Sequence, residues 1–257
     1  MNTLLARIRK IDSIFERKSA ADFSFGEICR ILSELMDSNA YIVNNKGRIL
    51  GVHYKNEEDA VIVYDYESGS EWMVEEANTA FLKIEHTKIN VTGSESEAIF
   101  NVLPEKQFRK LHLITPIYGG GKRLGTLFFG RYSEKFDISD IILGEHVATI
   151  VGVEIERRLH KQKEDLRRRK WQAAMAIESL TGTELRATEY IFKELNDDIT
   201  LLVLKDIADR EQITRSICLN ALRKLESAGI IQSTSFGSKG TQIKILNHTF
   251  RDLLKNP

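Results

Sequence analysis

The chain holds 257 residues, and its 37 Lys and Arg are balanced by 37 Asp and Glu, so the formal charge is zero and indiscriminate coating of nucleic acid is excluded. A hydrophobic content of 42%, a charged content of 29% and only three prolines exclude disorder and collagen-like order, and the length suits one large domain or two ordinary ones. No run approaches the roughly 18 apolar residues of a membrane-spanning helix, and residues 1–12 lack the apolar block and cleavage site of an export signal, so a cytoplasmic location is expected.

Leu4, Ile8, Ile11 and Phe15 recur at helical spacing and predict one amphipathic helix. Ser24 and Glu27 have the spacing of a capping box, with Phe23 and Ile28 as the flanking staple; they open a second helix that buries Ile28, Ile31, Leu32, Leu35 and Met36. The period then falls to two. Residues 41–50 predict a hairpin turning at Asn44, Asn45 and Gly47, and residues 112–132 predict another turning through 119–125. Between them residues 52–111 are weakly periodic, but residues 57–97 hold eleven acids against two lysines, net −9.

From Asp137 or Ser139 a helix is predicted to run to Leu180. Residues 156–170 carry eight bases and three acids, net +5, with few apolar anchors, so this stretch is expected to connect two domains rather than lie in one core. Thr181 and Glu184 repeat the capping-box spacing ahead of Leu185, Thr188, Ile191, Phe192 and Leu195, and Asn196, Asp197 and Asp198 stop that helix. Helices over 201–210 and 214–227 follow, the second ending at Gly229 as a left-handed residue, then a hairpin of 230–234 and 241–245 about a turn at 236–240. Helix, helix, helix, hairpin is the order of a winged helix-turn-helix.

Within residues 204–223, Ala208 is the small residue where two helices cross, and Ile207, Ile213, Ile217 and Leu222 supply the core. Gln212 stands where such turns usually carry Gly, and Glu211 where an apolar residue is typical. Thr214 caps the recognition helix and leaves Arg215 and Ser216 outward. Arg215 suits the edge of a guanine and Asn220 that of an adenine, whereas Arg223, Lys224 and the wing's Lys239 suit phosphates. Ser235, Ser238 and Gly240 complete the wing set. Residues 204–257 are net +4, which favours double-stranded DNA as the partner. The alternative is a ligand-binding protein whose winged helix docks a protein.

Other chemistries find little support. Cys29 and Cys218 sit among aliphatic residues and are expected as buried hydrophobes. The six histidines have no metal-ligand spacing, so no metal or prosthetic group is expected. Residues 119–126, Gly-Gly-Gly-Lys-Arg-Leu-Gly-Thr, lack the Lys that follows the last Gly of a phosphate loop, and a strand rather than a helix comes next. With no nucleophile elbow in view, the chain is not expected to be an enzyme.

At residues 220–231, Asn-Ala-Leu-Arg-Lys-Leu-Glu-Ser-Ala-Gly-Ile-Ile, joined to Ile213-Thr-Arg-Ser216, the sequence resembles the CodY family of global transcriptional regulators. The likeness extends to 119–126, to Lys239-Gly-Thr241 and to Leu4-Leu5, and covers the chain except roughly 52–111. It implies an α+β fold with an N-terminal GAF-like antiparallel sheet and helices (1–155), a basic linker helix (156–180) and a C-terminal winged helix-turn-helix (181–257). It also implies a homodimer or higher homo-oligomer that represses amino-acid metabolism genes when nutrients are plentiful. The family's effectors are branched-chain amino acids and GTP. Tyr64, Phe81, Phe100 and Pro104 are the implied effector-pocket positions, and Phe25, Lys46, Arg48 and Glu154 the implied nucleotide positions.

Departures fall in the effector segment. The family holds the ligand carboxylate with an arginine shortly after the first hairpin, but no Arg occurs between Arg48 and Arg109, and 56–60 reads Asn-Glu-Glu-Asp-Ala. Those acids repel a carboxylate rather than clamp it, so little stabilisation by isoleucine is expected. The family's Phe-Pro becomes Phe100-Asn101, with Pro104 the nearest proline; Asn44 and Asn45 replace Ser-Arg, and Leu159 replaces a helix Lys.

Overall fold

The computed structural model describes residues 3–17, 24–55, 62–67, 69–92, 110–132, 134–195 and 197–255, and the chain divides into two compact units, residues 1–159 and 160–257. The first begins with α1 (Leu4–Arg17) and α2 (Phe25–Met36). Ser24 precedes α2 in extended conformation, but its side chain makes no cap hydrogen bond, so the expected box is not closed from its hydroxyl. Phe23, the expected staple, lies outside the described residues. Burial of Ile28, Cys29, Leu32 and Met36 holds this helix instead.

Strands β1 (Asn39–Asn44), β2 (Ile49–His53), β5 (Lys88–Val91), β6 (Leu111–Gly119) and β7 (Lys122–Arg131) form an antiparallel sheet ordered β2-β1-β7-β6-β5. Because side chains alternate across a strand, the sheet serves two cores. Ala40, Ile42, Leu113, Ile117, Leu127 and Phe129 join α1, α2 and the start of α4 (Ile138–Ser179), whereas Tyr41, Val43, Ile114 and Phe128 join a second layer. That layer is the hairpin β3 (Ile62–Asp65) and β4 (Ser70–Met73) with α3 (Glu75–Leu82), elements the weak periodicity of 52–111 did not reveal.

The β6–β7 hairpin turns at Gly120 and Gly121 alone, with φ of 54° and 72°, the left-handed pair a two-residue turn requires. Residues 122–125, expected within the turn, are paired strand. Gly125 lies opposite both Asn44 and Ile117, and a Cβ there would overlap the Val43 carbonyl oxygen. Gly125→Ala is therefore expected to lower stability by about 1–3 kcal/mol, read as a lower urea midpoint with an unchanged slope. The same end of the hairpin lies close to α4: a Cβ on Gly152 would overlap the Tyr118 backbone carbonyl, and one on Gly120 would overlap the side-chain carboxylate of Glu156.

Asp137 opens α4 by accepting from the amides of Ser139 (2.8 Å) and Asp140 (3.0 Å). The helix buries Leu143, Val147, Val151 and Ile155 in the first unit's core, exposes residues 161–164 and 166–171, and then buries Ala173 and Ala176 in the second. Of the stretch expected as a linker, 156–180, the last turns are therefore core.

The second unit continues with α5 (Gly182–Glu194), where the Thr181 and Glu184 capping box does form, the Glu184 carboxylate accepting from the Thr181 amide at 2.8 Å. Next come β8 (Ile199–Leu202), α6 (Leu204–Arg210), α7 (Arg215–Ser227), β9 (Ile231–Ser235), β10 (Thr241–Ile245) and α8 (Thr249–Lys255), with the sheet ordered β8-β10-β9. Residues 201–203 were expected to start a helix. Instead 201–202 pair with β10, because Ile199 and Thr200 lead an extended run that closes the wing as a third strand. The terminal α8, not expected from the sequence, inserts Phe250 beside Phe192, ring centroids 5.1 Å apart.

Candidate nucleic-acid interface

Two helices and a tight turn build the surface. Ile207 and Ala208 of α6 are buried against Cys218, Leu222 and Leu225 of α7, and burial pushes the Cys218 thiol upward, as suits a packing residue. Between the helices Gln212 has φ 53°, so it adopts the left-handed conformation for which glycine is the usual choice. A side chain costs about 1–2 kcal/mol there, and Gln212→Gly is expected to stabilise the second unit by about 1 kcal/mol in urea unfolding, part of the relief being offset by chain entropy.

Thr214 caps α7 in extended conformation, its hydroxyl accepting from the Ile217 amide and lying 2.9 Å from the Ser216 hydroxyl. Because Cys218, Ala221, Leu222 and Leu225 fill the inner face, Arg215, Ser216, Asn220 and Arg223 fall together on the exposed one. Among the described residues no ion pair engages Arg215, Arg223 or Lys239. Lys224 differs. Its ammonium donates to the Glu184 carboxylate (2.7 Å) and to the Ser179 carbonyl (2.9 Å), so it ties α7 to the α4–α5 junction while its side chain stays 39% exposed. That ammonium, with the Thr181 amide, holds Glu184 below the usual carboxylate range.

The wing is braced to the recognition helix. The Glu226 carboxylate accepts from the Ser233 amide (2.9 Å) and hydroxyl (3.0 Å). At the tip Ser235 and Lys239 are exposed, and Gly240 returns the chain with φ 121°, its carbonyl accepting from the Phe236 amide. Ser238 lies in the short 3₁₀ turn at the tip, and its side chain is outside the described set.

The effector positions are less unified. Phe81 is fully buried, edge-on to Phe128 at 5.3 Å, and Phe128 stacks on Tyr41 at 4.2 Å. Phe81 is thus a core residue, whereas Tyr64 is 52% exposed on β3 against Tyr66, so the structure does not bring the two together. Phe100, Pro104 and residues 56–60 lie outside the described residues. Of the nucleotide positions, Phe25 and Glu154 meet through Arg158, whose guanidinium is 4.4 Å from the Phe25 ring and 2.8 Å from the Glu154 carboxylate. Arg157 also donates to Glu154 at 2.8 Å. Burial pushes Glu154 up, but the two arginines outweigh it and hold the carboxyl below its ordinary range. Lys46 and Arg48 remain exposed in the β1–β2 turn. Arg157 and Arg158 count in the sequence only as linker charge, although their spacing of three and four from Glu154 is the signal of a same-face helix pair.

Among the described residues no group of three or more His, Cys, Asp or Glu is placed to hold a metal ion, and no helix is long and apolar enough to cross a membrane.

A GAF-like sheet unit and a winged helix-turn-helix carried in one chain define a transcriptional regulator. Both halves match known families: the CodY GAF-like domain over residues 3–179 and the CodY helix-turn-helix domain over 201–256. The chain is 41% identical over 256 residues to the global transcriptional regulator CodY of Clostridium perfringens (strain SM101 / Type A), with 99% of each covered. It is 40% identical over 248 residues to that of Exiguobacterium sibiricum, covering 96% of this chain and 95% of the relative. A solved structure, the cofactor-binding GAF domain of the nutrient sensor CodY from Clostridium difficile, covers 59% of this chain and 97% of its own at 33% identity and a TM-score of 0.47. The chain belongs to the CodY family.

Proposed function

We propose that this regulator binds operator sites in double-stranded DNA as a homodimer or higher homo-oligomer in the cytoplasm, repressing amino-acid metabolism and related genes according to a small metabolite sensed by residues 1–155. The observation that carries the reading is the exposed face of α7, where Arg215, Ser216, Asn220 and Arg223 stand together beyond a capped helix start, beside a wing tip bearing Lys239. Arg215 reads a base edge while Arg223 and Lys239 neutralise phosphates; Thr214, Ser216, Ser235, Ser238 and Gly240 contribute neutral contacts. Lys224 acts indirectly, by fixing the seat of α7. Footprinting of the full-length protein on promoter fragments of amino-acid biosynthetic genes tests the reading; protection of no sequence at moderate salt sinks it.

The metabolite differs from a branched-chain amino acid held by an arginine, since none occurs between Arg48 and Arg109. A ligand at 100 times its dissociation constant contributes about 2.7 kcal/mol to the bound state. Isoleucine at millimolar concentration is therefore expected to leave the melting midpoint unchanged, and a saturable rise refutes that expectation. For a nucleotide, Arg157 and Arg158 already occupy Glu154, so GTP binding requires that cluster to open.

A further inference from the structure

The sheet of the second unit has two edges, and they differ. At one, β9 continues after Ile231 as Gln232, Ser233, Thr234 and Ser235, a polar strand. At the other lies β8, and residues 199–203 read Ile-Thr-Leu-Leu-Val, with no charge and no proline to blunt the edge. Its register against β10 is regular, so no bulge turns it away. Ile199, Leu201 and Val203 are 50%, 54% and 39% exposed, the outward half of the alternation, whereas Leu202 packs on the core beneath.

The backbone is open at the same residues. The Asp198 carbonyl accepts from the Ile245 amide at 2.9 Å, and the antiparallel ladder alternates from there, so Thr200 and Leu202 direct their hydrogen bonds to Ile243 and Thr241. The amides and carbonyls of Ile199 and Leu201 therefore point away from β10, and among the described residues no strand pairs with them. An apolar edge of this kind is a template for an added strand. Charge at its two ends identifies that strand. Asp197 precedes the run and Lys205 follows it; both are exposed, and among the described residues neither takes part in an ion pair.

We infer that β8 is an interface between copies of this chain, an antiparallel pair of β8 strands about a two-fold axis at Leu201 that joins two three-stranded sheets into one. In that register Leu201 faces its own copy, Ile199 faces Val203 of the second copy, and Asp197 falls at Lys205 of the second copy, because 197 and 205 are equally spaced from 201. Each contact is made twice. A register slipped by two residues leaves the charges unmatched, so the ends select the pairing that buries the apolar stripe most fully. The interface rests on the homo-oligomer of the proposed function and locates one of its contacts; it does not depend on how α7 reads DNA.

The test uses the full-length protein in sedimentation velocity over a concentration series. Leu201→Lys sets two ammonium groups opposite each other across the axis and is expected to weaken self-association by about tenfold or more, with the melting midpoint kept because residue 201 is exposed. Asp197→Lys and Lys205→Asp should each weaken it about threefold or more, and the double variant should recover the parent value. Under mild oxidation Leu201→Cys should link two chains by a disulfide and Thr234→Cys, on the other edge, should not; the native Cys29 and Cys218 are buried. The charge reversals and their mutual rescue keep the test decisive even where Leu201→Lys misfolds. Parent-like self-association of a folded Leu201→Lys variant, or a double reversal no tighter than the single ones, overturns the inference while the homo-oligomer stands. So does a Leu201→Cys chain that links to no second copy, which leaves the edge to an extended segment of another protein. A chain that is monomeric at every concentration overturns the inference and the homo-oligomer together.

Discussion

Asp140→Ala is expected to remove about 3–5 kcal/mol from the stability of the first unit, because it strands the buried Arg131 guanidinium and the partly buried one of Arg7 at once. Asp140 is 4% exposed, its Oδ1 lying 2.8 Å from Arg7 and its Oδ2 2.9 Å from Arg131. Arg131 also donates to the carbonyls of Met36 (2.6 Å), Glu134 (2.7 Å) and Lys135 (2.8 Å), and stacks 3.9 Å from the Phe136 ring; Arg7 donates to the Leu35 carbonyl at 2.9 Å. One carboxylate therefore ties α1, the end of α2, β7 and the first turn of α4. Urea unfolding measures the loss. Asp137→Ala, which removes only the helix cap, should cost about 1 kcal/mol, and a similar small loss for Asp140→Ala would show that its partners find other acceptors.

The second large effect concerns sequence reading. Arg215→Ala is expected to weaken operator binding by about 1–3 kcal/mol, or roughly 5- to 150-fold, while leaving affinity for random DNA nearly unchanged. Lys239→Ala should weaken both by similar factors and lower the dependence of log affinity on log salt by about one. The two variants separate base reading from phosphate positioning, and binding isotherms at three or more salt concentrations check them. Undiminished operator preference in the Arg215 variant removes that residue from the reading.

The winged helix was legible because its signals are local. The Thr181 box, the Thr214 cap, the left-handed Gly229 (φ 69°) and the periodic faces of α5 and α7 are each fixed within a few residues. The turn carries its rule even where its residue breaks it: Gln212 takes the backbone conformation of the missing glycine. What was not legible depended on distant partners. Residues 201–202 are strand because β10, about forty positions on, supplies the ladder, and Lys224 donates to Glu184, forty residues earlier. Phe81 has an aromatic's spacing in any reading, and only the stack with Phe128 and Tyr41 shows it as core. The first α2 box failed for a different reason: a side chain that is able to cap is not obliged to do so once a buried face already holds the helix.

The contact between the β6–β7 hairpin and α4 has a mechanical consequence. At Tyr118 and Gly152 the two backbones touch with no side chain between them, whereas Gly120 meets the side-chain carboxylate of Glu156. Ordinary packed elements absorb small displacements by rotamer changes at their interface. At the Tyr118–Gly152 contact there is no rotamer to change, so a displacement of the hairpin at that point has to be taken up by the backbone of α4.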